Sequence, residues 1–212
     1  GSVRRLAADM PTSGPHAIIN RQVDRADAIA EQLTDKRIAA LLVGPGLGLD
    51  DGARARLRAA LDSGHRLVLD ADALTLLGEE GGRTIGREAI LTPHEGEFRR
   101  LFGDLPGSKI DRACAAAHSS GAVVVYKGAD SVIAAPDGRV AVAGGATPWL
   151  STAGTGDVLA GLAAGRLAVT GDPFRAACEA VWLHGDAARR CSPAFVADDL
   201  LAALPAAIAA RL

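Results

Sequence analysis

Short apolar runs alternate with longer Ala-, Leu- and Arg-rich segments along most of the chain. The apolar runs predict strands over Ala39–Val43, Arg66–Leu69, Ala89–Thr92, Ala122–Tyr126, Ser131–Ala135 and Arg139–Val142. The earlier ones, through Tyr126, are nearly continuously apolar, as strands are when both faces of their sheet are covered. Apolar positions at helical spacing predict helices over Arg21–Leu33, Asp51–Leu61, Glu95–Phe102 and Lys109–His118, with a short one over Ala73–Leu77. This alternation is the sequence form of βαβ units on a parallel sheet. Pro136-Asp137-Gly138 is turn chemistry, so the strands on either side of it form a hairpin. Beyond the hairpin, Thr155–Val169, Phe174–Arg190 and Asp198–Ala210 read as Ala-rich helices. The first twenty residues are the hardest to place, and Met10–Pro15, with two prolines and a glycine, is the least structured stretch.

Composition narrows the class without naming a function. The 212 residues, 49% hydrophobic and 23% charged, fit one globular domain that can bury a core without disulfides or structural metal. A formal net charge of -2 gives no basic footprint for nucleic acid. Arg4-Arg5, Arg99-Arg100 and Arg189-Arg190 read as solvated surface charge. Cys114, Cys178 and Cys191 are odd in number and widely spaced, which argues against a disulfide framework or a CxxC metal site. They fit small apolar packing in a reducing compartment, hence a cytoplasmic setting. No stretch is long and apolar enough to span a membrane. Gly1-Ser2 has the look of a tag remnant.

Candidate chemistry gathers where strands end. Ser151–Gly161 runs small residues and glycines straight into a helix. The free N–H groups and positive dipole end of that helix suit a phosphate. Asp157 in its first turn would repel phosphate, but makes sense as the base that takes a proton from an attacking hydroxyl. The alternative is a helix capped by Thr152 or Thr155, with Asp157 complementing the dipole. Gly44-Pro45-Gly46-Leu47-Gly48 is either a ligand loop at a strand's carboxyl end or a tight turn; it is not a GxGxxG fingerprint. Asp70 and Asp72 close the next strand as ligand contacts or metal ligands, with capping of a short helix the favoured role for Asp72. His94 follows Pro93 at a strand–helix junction, poised over a crevice or simply structural, with Glu95 and Glu97 in the helix's first turn. Lys127, next to Gly128, could neutralise nucleotide phosphates or be a solvated turn lysine. Together these clusters describe one crevice along one edge of a sheet.

Gly44–Gly48, Asp70–Leu74, Leu91–Phe98, Lys127–Ser131 and Ala153–Gly161 occur in an order and spacing that resembles the NAD(P)H-hydrate dehydratases, the carbohydrate-kinase-like domain of YjeF-type proteins. The resemblance runs from about Ala39 to Leu204. Leu-Thr-Pro-His-Glu-Gly-Glu combined with Gly-Thr-Gly-Asp is specific to that family, whereas Gly-Thr-Gly-Asp alone is shared across ribokinase-like enzymes. The resemblance implies a ribokinase-like three-layer α/β/α sandwich with a mostly parallel sheet. It implies ADP or ATP as phosphoryl donor with Mg2+, and the S epimer of hydrated NADH or NADPH as substrate. Asp157 matches the catalytic aspartate. Lys127, Gly128, Ala129, Asp130 and Ser131, with Gly154, Thr155 and Gly156, fall at nucleotide-binding positions. Gly46, Gly48, Asp70, His94 and Glu97 fall on the substrate side, with Asp157 between. A homo-oligomer and, in the full-length protein, a fused epimerase domain are compatible with the resemblance.

Two departures stand out. Family members often read Asn-Pro-Gly before the anion loop, where this chain has Thr147-Pro148-Trp149-Leu150, with Trp149 placed to stack on a ring or to pack. Family domains also begin with a glycine-rich strand–loop and helix that has no counterpart before Val3. Residues 1–212 therefore read as a single domain lacking its N-terminal portion, with Val3–Leu6 as the remnant of a strand. The alternatives are a small-molecule kinase of the hydroxyethylthiazole or pyridoxal type, and a nucleotide-binding fragment without turnover.

Overall fold

The computed structural model describes residues 3–7, 18–22, 26–81 and 84–211. Strands β1 (Val3–Ala7) and β2 (Ile18–Gln22) pair in parallel as a two-stranded sheet. A six-stranded sheet follows in simple chain order: β3 (Leu41–Val43), β4 (Leu67–Leu69), β5 (Ala89–Leu91), β6 (Val123–Tyr126), β7 (Ser131–Ala134) and β8 (Val140–Ala143). Strands β3 to β6 are parallel, and β6-β7-β8 are antiparallel with Val132 opposite Val142. The helices are α1 (Ala26–Gln32), α2 (Asp51–Asp62), α3 (Asp72–Glu79), α4 (Glu95–Phe102), α5 (Lys109–Ser120), α6 (Thr155–Thr170), α7 (Pro173–Arg190) and α8 (Ala197–Ala209).

Strand alternation sorts the core into two layers. Leu67, Leu69, Leu91, Val124 and Tyr126 face one way, against Leu57, Leu74, Leu77, Phe98 and Ala117 of α2 to α5. Val68, Ile90, Val123, Val125 and Ile133 face the other, against Leu159, Ala163, Leu167 and Ala180 of α6 and α7. Small alanines on α6 and α7 let the helices approach each other and the sheet closely. Helix α8 covers their outer side through Leu200 and Ala207. The architecture is a three-layer α/β/α sandwich, and the parallel strands and hairpin stand where their patterns place them. One element departs: Arg21 and Gln22 belong to β2, so helix α1 does not begin at Arg21. The stretch Met10–Pro15 and the pair Gly1-Ser2 lie outside the described residues.

Successive parallel strands that neighbour one another must send every crossover helix to the same face if each turn is right-handed. Because β3 to β6 run parallel, the loops that leave their carboxyl ends, three into helices and the last into β7, all lie along one edge. At its start, Gly44 has φ +138°, and a Cβ there would lie 1.7 Å from the Asp70 carbonyl oxygen. Only glycine lets the β3 loop pass so close to the end of β4.

Candidate active site

Each loop along that edge holds a polar group in a defined place. Asp70 is 2% exposed at the end of β4, and Lys127, at the end of β6, donates to its Oδ1 across 3.0 Å. The same ammonium lies 3.8 Å from Oε2 of Glu97, a buried residue in the first turn of α4. This carboxylate–ammonium–carboxylate bridge ties β4, β6 and α4 together. Between Asp70 and Asp72, Ala71 takes φ 47° and ψ -120°, strain of the kind the surrounding structure must hold in place. Asp72 does not cap α3; it is the first helical residue, and its Oδ2 accepts the Gly48 N–H at 2.9 Å, pinning the β3 loop. Gly46 and Gly48 both sit at positive φ on that exposed loop.

His94 is the N-cap of α4. Its Nδ1 accepts the N–H groups of Gly96 at 2.9 Å and Glu97 at 3.3 Å, while Glu97 Oε2 accepts the His94 N–H at 2.8 Å. An Nδ1 that accepts leaves the ring proton on Nε2, which is turned outward 3.6 Å from Glu97 Oε1. The side chain is 60% exposed. The histidine thus has a structural task on one nitrogen and an exposed donor on the other.

Helix α6, like α3, begins without a side-chain cap. Helices α2, α4, α5 and α7 start under the side chains of Asp50, His94, Ser108 and Asp172. Gly154, in the left-handed region at φ 85°, begins α6 with no side-chain cap. Thr155 is occupied elsewhere, its hydroxyl donating toward Leu150 O at 2.7 Å and Thr152 O at 2.8 Å. The Thr155 N–H is taken by Thr152 O at 3.3 Å and the Val158 N–H by Gly154 O at 3.2 Å, which leaves the N–H groups of Gly156 and Asp157 to meet an external acceptor. A Cβ built on Gly156 would sit 3.5 Å from the Lys127 Nζ, which brings the turn against the ion bridge. Asp157 is exposed in this turn. Partial shielding of its carboxyl by the surrounding turn, the larger cause, and the negative charge of Asp70 raise its pKa above the ordinary aspartate value; Lys127 opposes them, and Asp72 adds a weaker upward push.

An anion-receptive helix start, a carboxylate whose proton affinity is raised, and an ion bridge of Asp70, Lys127 and Glu97 share one sheet edge. The sequence profile of the NAD(P)H-hydrate dehydratases matches residues 7–209. The chain belongs to this family. It is 43% identical over 197 residues to a bifunctional NAD(P)H-hydrate repair enzyme of Salinibacter ruber, covering 87% of this chain and 36% of that protein. It is 39% identical over 156 residues to an ADP-dependent (S)-NAD(P)H-hydrate dehydratase of Xanthomonas campestris, covering 71% of this chain and 53% of that one. The chain thus spans between about a third and a half of the length of these curated relatives. Among solved structures, an ADP/ATP-dependent NAD(P)H-hydrate dehydratase of Bacillus subtilis, co-crystallised with ATP and Mg2+, superposes with a TM-score of 0.78 at 29% identity. The superposition covers 92% of this chain and 72% of that one. The fold is ribokinase-like, the class to which a 26%-identical Enterococcus faecalis neighbour with TM-score 0.78 is assigned.

The structure assembles most of the residues singled out from sequence. Asp70, Glu97, Lys127, Gly156 and Asp157 converge, and Gly128, Ala129 and Asp130 form the exposed loop that follows Lys127. Two of the alternatives that the sequence left open are set aside. Lys127 is not a solvated turn lysine, because its ammonium is committed to Asp70 and Glu97. No Thr side chain caps α6. Trp149, on the 3-10 turn Pro148–Ser151, is 43% exposed and so is not a packed core residue.

Sequence reasoning missed several participants. His184 on α7 is buried, with Nε2 2.9 Å from the Thr155 carbonyl oxygen beneath the anion turn, and burial lowers its pKa. The Tyr126 hydroxyl donates to Glu95, which also takes Arg112 at 3.0 Å. These bonds hold the Glu95 carboxyl below its usual range, and burial together with the Glu95 bond pushes the Tyr126 phenol up to about 12. Lys109 reaches the Lys127–Asp130 loop from α5. No local pattern marks these residues, since each acts across a gap in sequence that only the sheet order closes.

Proposed function

We propose that the chain dehydrates the S epimer of hydrated NADH or NADPH, using ADP or ATP as the phosphoryl donor. One observation carries this reading: Asp157 stands in an uncapped helix turn, with its carboxyl's proton affinity raised by partial shielding and by Asp70. Such a site can hold a phosphoryl group on backbone N–H donors while the carboxylate takes a proton beside it.

Hydration leaves a hydroxyl on the ring carbon next to nitrogen, and hydroxide is a poor leaving group. The hydroxyl oxygen attacks the terminal phosphorus of the donor as Asp157 accepts its proton, and AMP or ADP departs. The ring nitrogen's lone pair then expels phosphate from the carbon. Loss of a ring proton returns the electron pair to the ring and restores NADH or NADPH. Positioning and charge stabilisation supply most of the catalysis in such transfers. The Lys127–Ser131 loop with Gly154, Thr155 and Gly156 serves the donor. Gly46, Gly48, Asp70, His94 and Glu97 lie on the substrate side. Lys127 serves through the ion bridge, holding Asp70 and Glu97 while its positive charge offsets theirs beside the anion turn.

Among the described residues no group of three or more His, Cys, Asp or Glu could hold a metal ion. Mg2+ prefers phosphate oxygens and waters to all-protein cages, so it would arrive with the nucleotide, where it neutralises phosphate charge. No helix among the described residues is long and apolar enough to cross a membrane. Relatives named as bifunctional repair enzymes support the expectation of a companion epimerase domain in the full-length protein.

The reading is tested by incubating the protein with hydrated NADH, ADP and Mg2+ and following NADH absorbance. Restored absorbance with release of inorganic phosphate supports it. A stable phosphoester product would favour a small-molecule kinase, and nucleotide binding without either product would mark a fragment without turnover.

A further inference from the structure

Lys109 is the first residue of α5, behind the Ser108 cap. A cation is disfavoured at the positive end of a helix dipole, so this lysine is not there for the helix. Its ammonium lies over the ring of Tyr126, 4.8 Å from the centroid. The ammonium then donates to two carbonyl oxygens of the loop after β6, that of Lys127 at 3.3 Å and that of Asp130 more closely still. Both ends of the turn that joins β6 to β7 are thereby tied to one charged donor group. Gly128 lies between them, and a Cβ built on it would come within 2.5 Å of the Lys109 Nζ. Gly128 does not occupy the left-handed region, so backbone conformation does not demand glycine there. The space its missing side chain leaves is filled by the lysine head.

We infer that Lys109 is a positioning residue for the nucleotide: an ammonium clamp that holds the Lys127–Asp130 backbone in the shape the donor meets. The inference rests on reading that loop as nucleotide-binding, and it adds a contact from a different element, whose own side chain need not touch the ligand. The clamp spares Lys127. Its carbonyl is held by Lys109 while its ammonium holds Asp70, so backbone and side chain of one residue are fixed by separate partners. Loss of the clamp should therefore loosen the donor loop without dismantling the ion bridge.

Lys109→Met keeps an unbranched side chain of similar reach and removes the ammonium donors. Hydrogen exchange measured without ligand should be faster in a peptide spanning Lys127–Ser131 and unchanged in one spanning α6. Calorimetry should show ADP binding weakened about ten-fold, as when hydrogen bonds to a charged group are lost. kcat at saturating ADP and KM for hydrated NADH should stay within about two-fold, a split that a generally destabilised protein does not show. Lys109→Arg, which keeps a cationic donor, should recover part of the affinity. Gly128→Ala should cost less ADP affinity in the Lys109→Met background than in the wild type, because the two groups compete for one space. Unchanged exchange in the loop would overturn the clamp, as would equal losses for both ligands with a lowered Tm. If Lys109→Met does not fold, Gly128→Ala alone decides the matter: it should speed exchange in the same peptide, and unaltered exchange overturns the inference. A wild-type protein that does not bind ADP would sink the nucleotide reading and the clamp's role in binding, while the exchange measurement would still decide whether Lys109 holds the loop.

Discussion

A general base works best when its own pKa is lifted toward the pH at which it operates. Asp157 is placed for that: partial shielding comes first among the causes, Asp70 adds to it, and Lys127 limits the effect. Asp157→Asn keeps the shape and cannot take a proton, so turnover should fall about 10²–10⁴-fold while ADP affinity is kept. The stability effect has the opposite sign. A carboxyl whose pKa is higher in the folded than in the unfolded chain binds its proton more tightly when folded, so ionising it at neutral pH costs stability. Asp157→Asn should therefore melt no lower than wild type at pH 7. The difference should vanish well below about pH 3.9, where the native carboxyl is also neutral. Calorimetric scans at both pH values check this, and a lower Tm at pH 7 would show that Asp157 is paired in a way the present geometry does not contain. Activity should rise with pH through a midpoint above about 3.9, read from kcat/KM.

At the scale of elements, the ion bridge holds β4, β6 and α4 in register. Lys127→Met would leave Asp70, 2% exposed, and the buried Glu97 without their shared cation. Removing one partner of such a pair costs about 3–5 kcal/mol. In a domain of this size that lowers Tm by roughly 6–20 °C. The double variant Lys127→Met with Asp70→Asn should recover part of the loss, because fewer uncompensated charges remain. Additive losses by thermal denaturation would mean that the two side chains act independently. His94 belongs to the same scale. His94→Ala removes the cap of α4, worth about 1 kcal/mol, and also the exposed Nε2 donor. A small fall in Tm should accompany a rise in KM for the hydrated dinucleotide, with ADP affinity unaltered. Kinetics unchanged beside the lower Tm would confine His94 to capping.

Across the whole molecule, the proposed donor site joins the loop after β6 to the start of α6, two helices' length away in sequence but adjacent at one sheet edge. A ligand that bridges them stabilises only the folded chain. ADP at a hundred times its Kd should add about 2.7 kcal/mol, a Tm rise of roughly 5–11 °C. A flat melting temperature across an ADP titration would remove the donor site from this edge. The buried His184 links the same turn to α7 and, through the packing of α7 on β5 to β8, to the rest of the sheet.

Much of this architecture is legible in the sequence because it rests on local rules. Apolar runs of strand length, helical spacing, and the Pro136-Asp137-Gly138 turn specify elements through contacts within a few residues, and all six strands of the main sheet stand where their patterns lie. The clusters at strand ends and the Gly-Thr-Gly-Asp turn are local too, so the candidate site could be named before it was seen. Arg21 and Gln22 show where local rules fail: next to helix-like residues they join β2, because pairing with β1 prevails over propensity. Asp72 shows it again, since a residue suited to capping is turned instead to a loop amide twenty-four positions away. What tertiary structure alone decided is which charges meet. Lys127 finds Asp70 across 57 positions and His184 finds Thr155 across 29. Gly44 must be glycine because its φ is +138° and because the Asp70 carbonyl lies against it. Those pairings depend on strand order and on the closeness of packed elements, and no spacing along the chain encodes either.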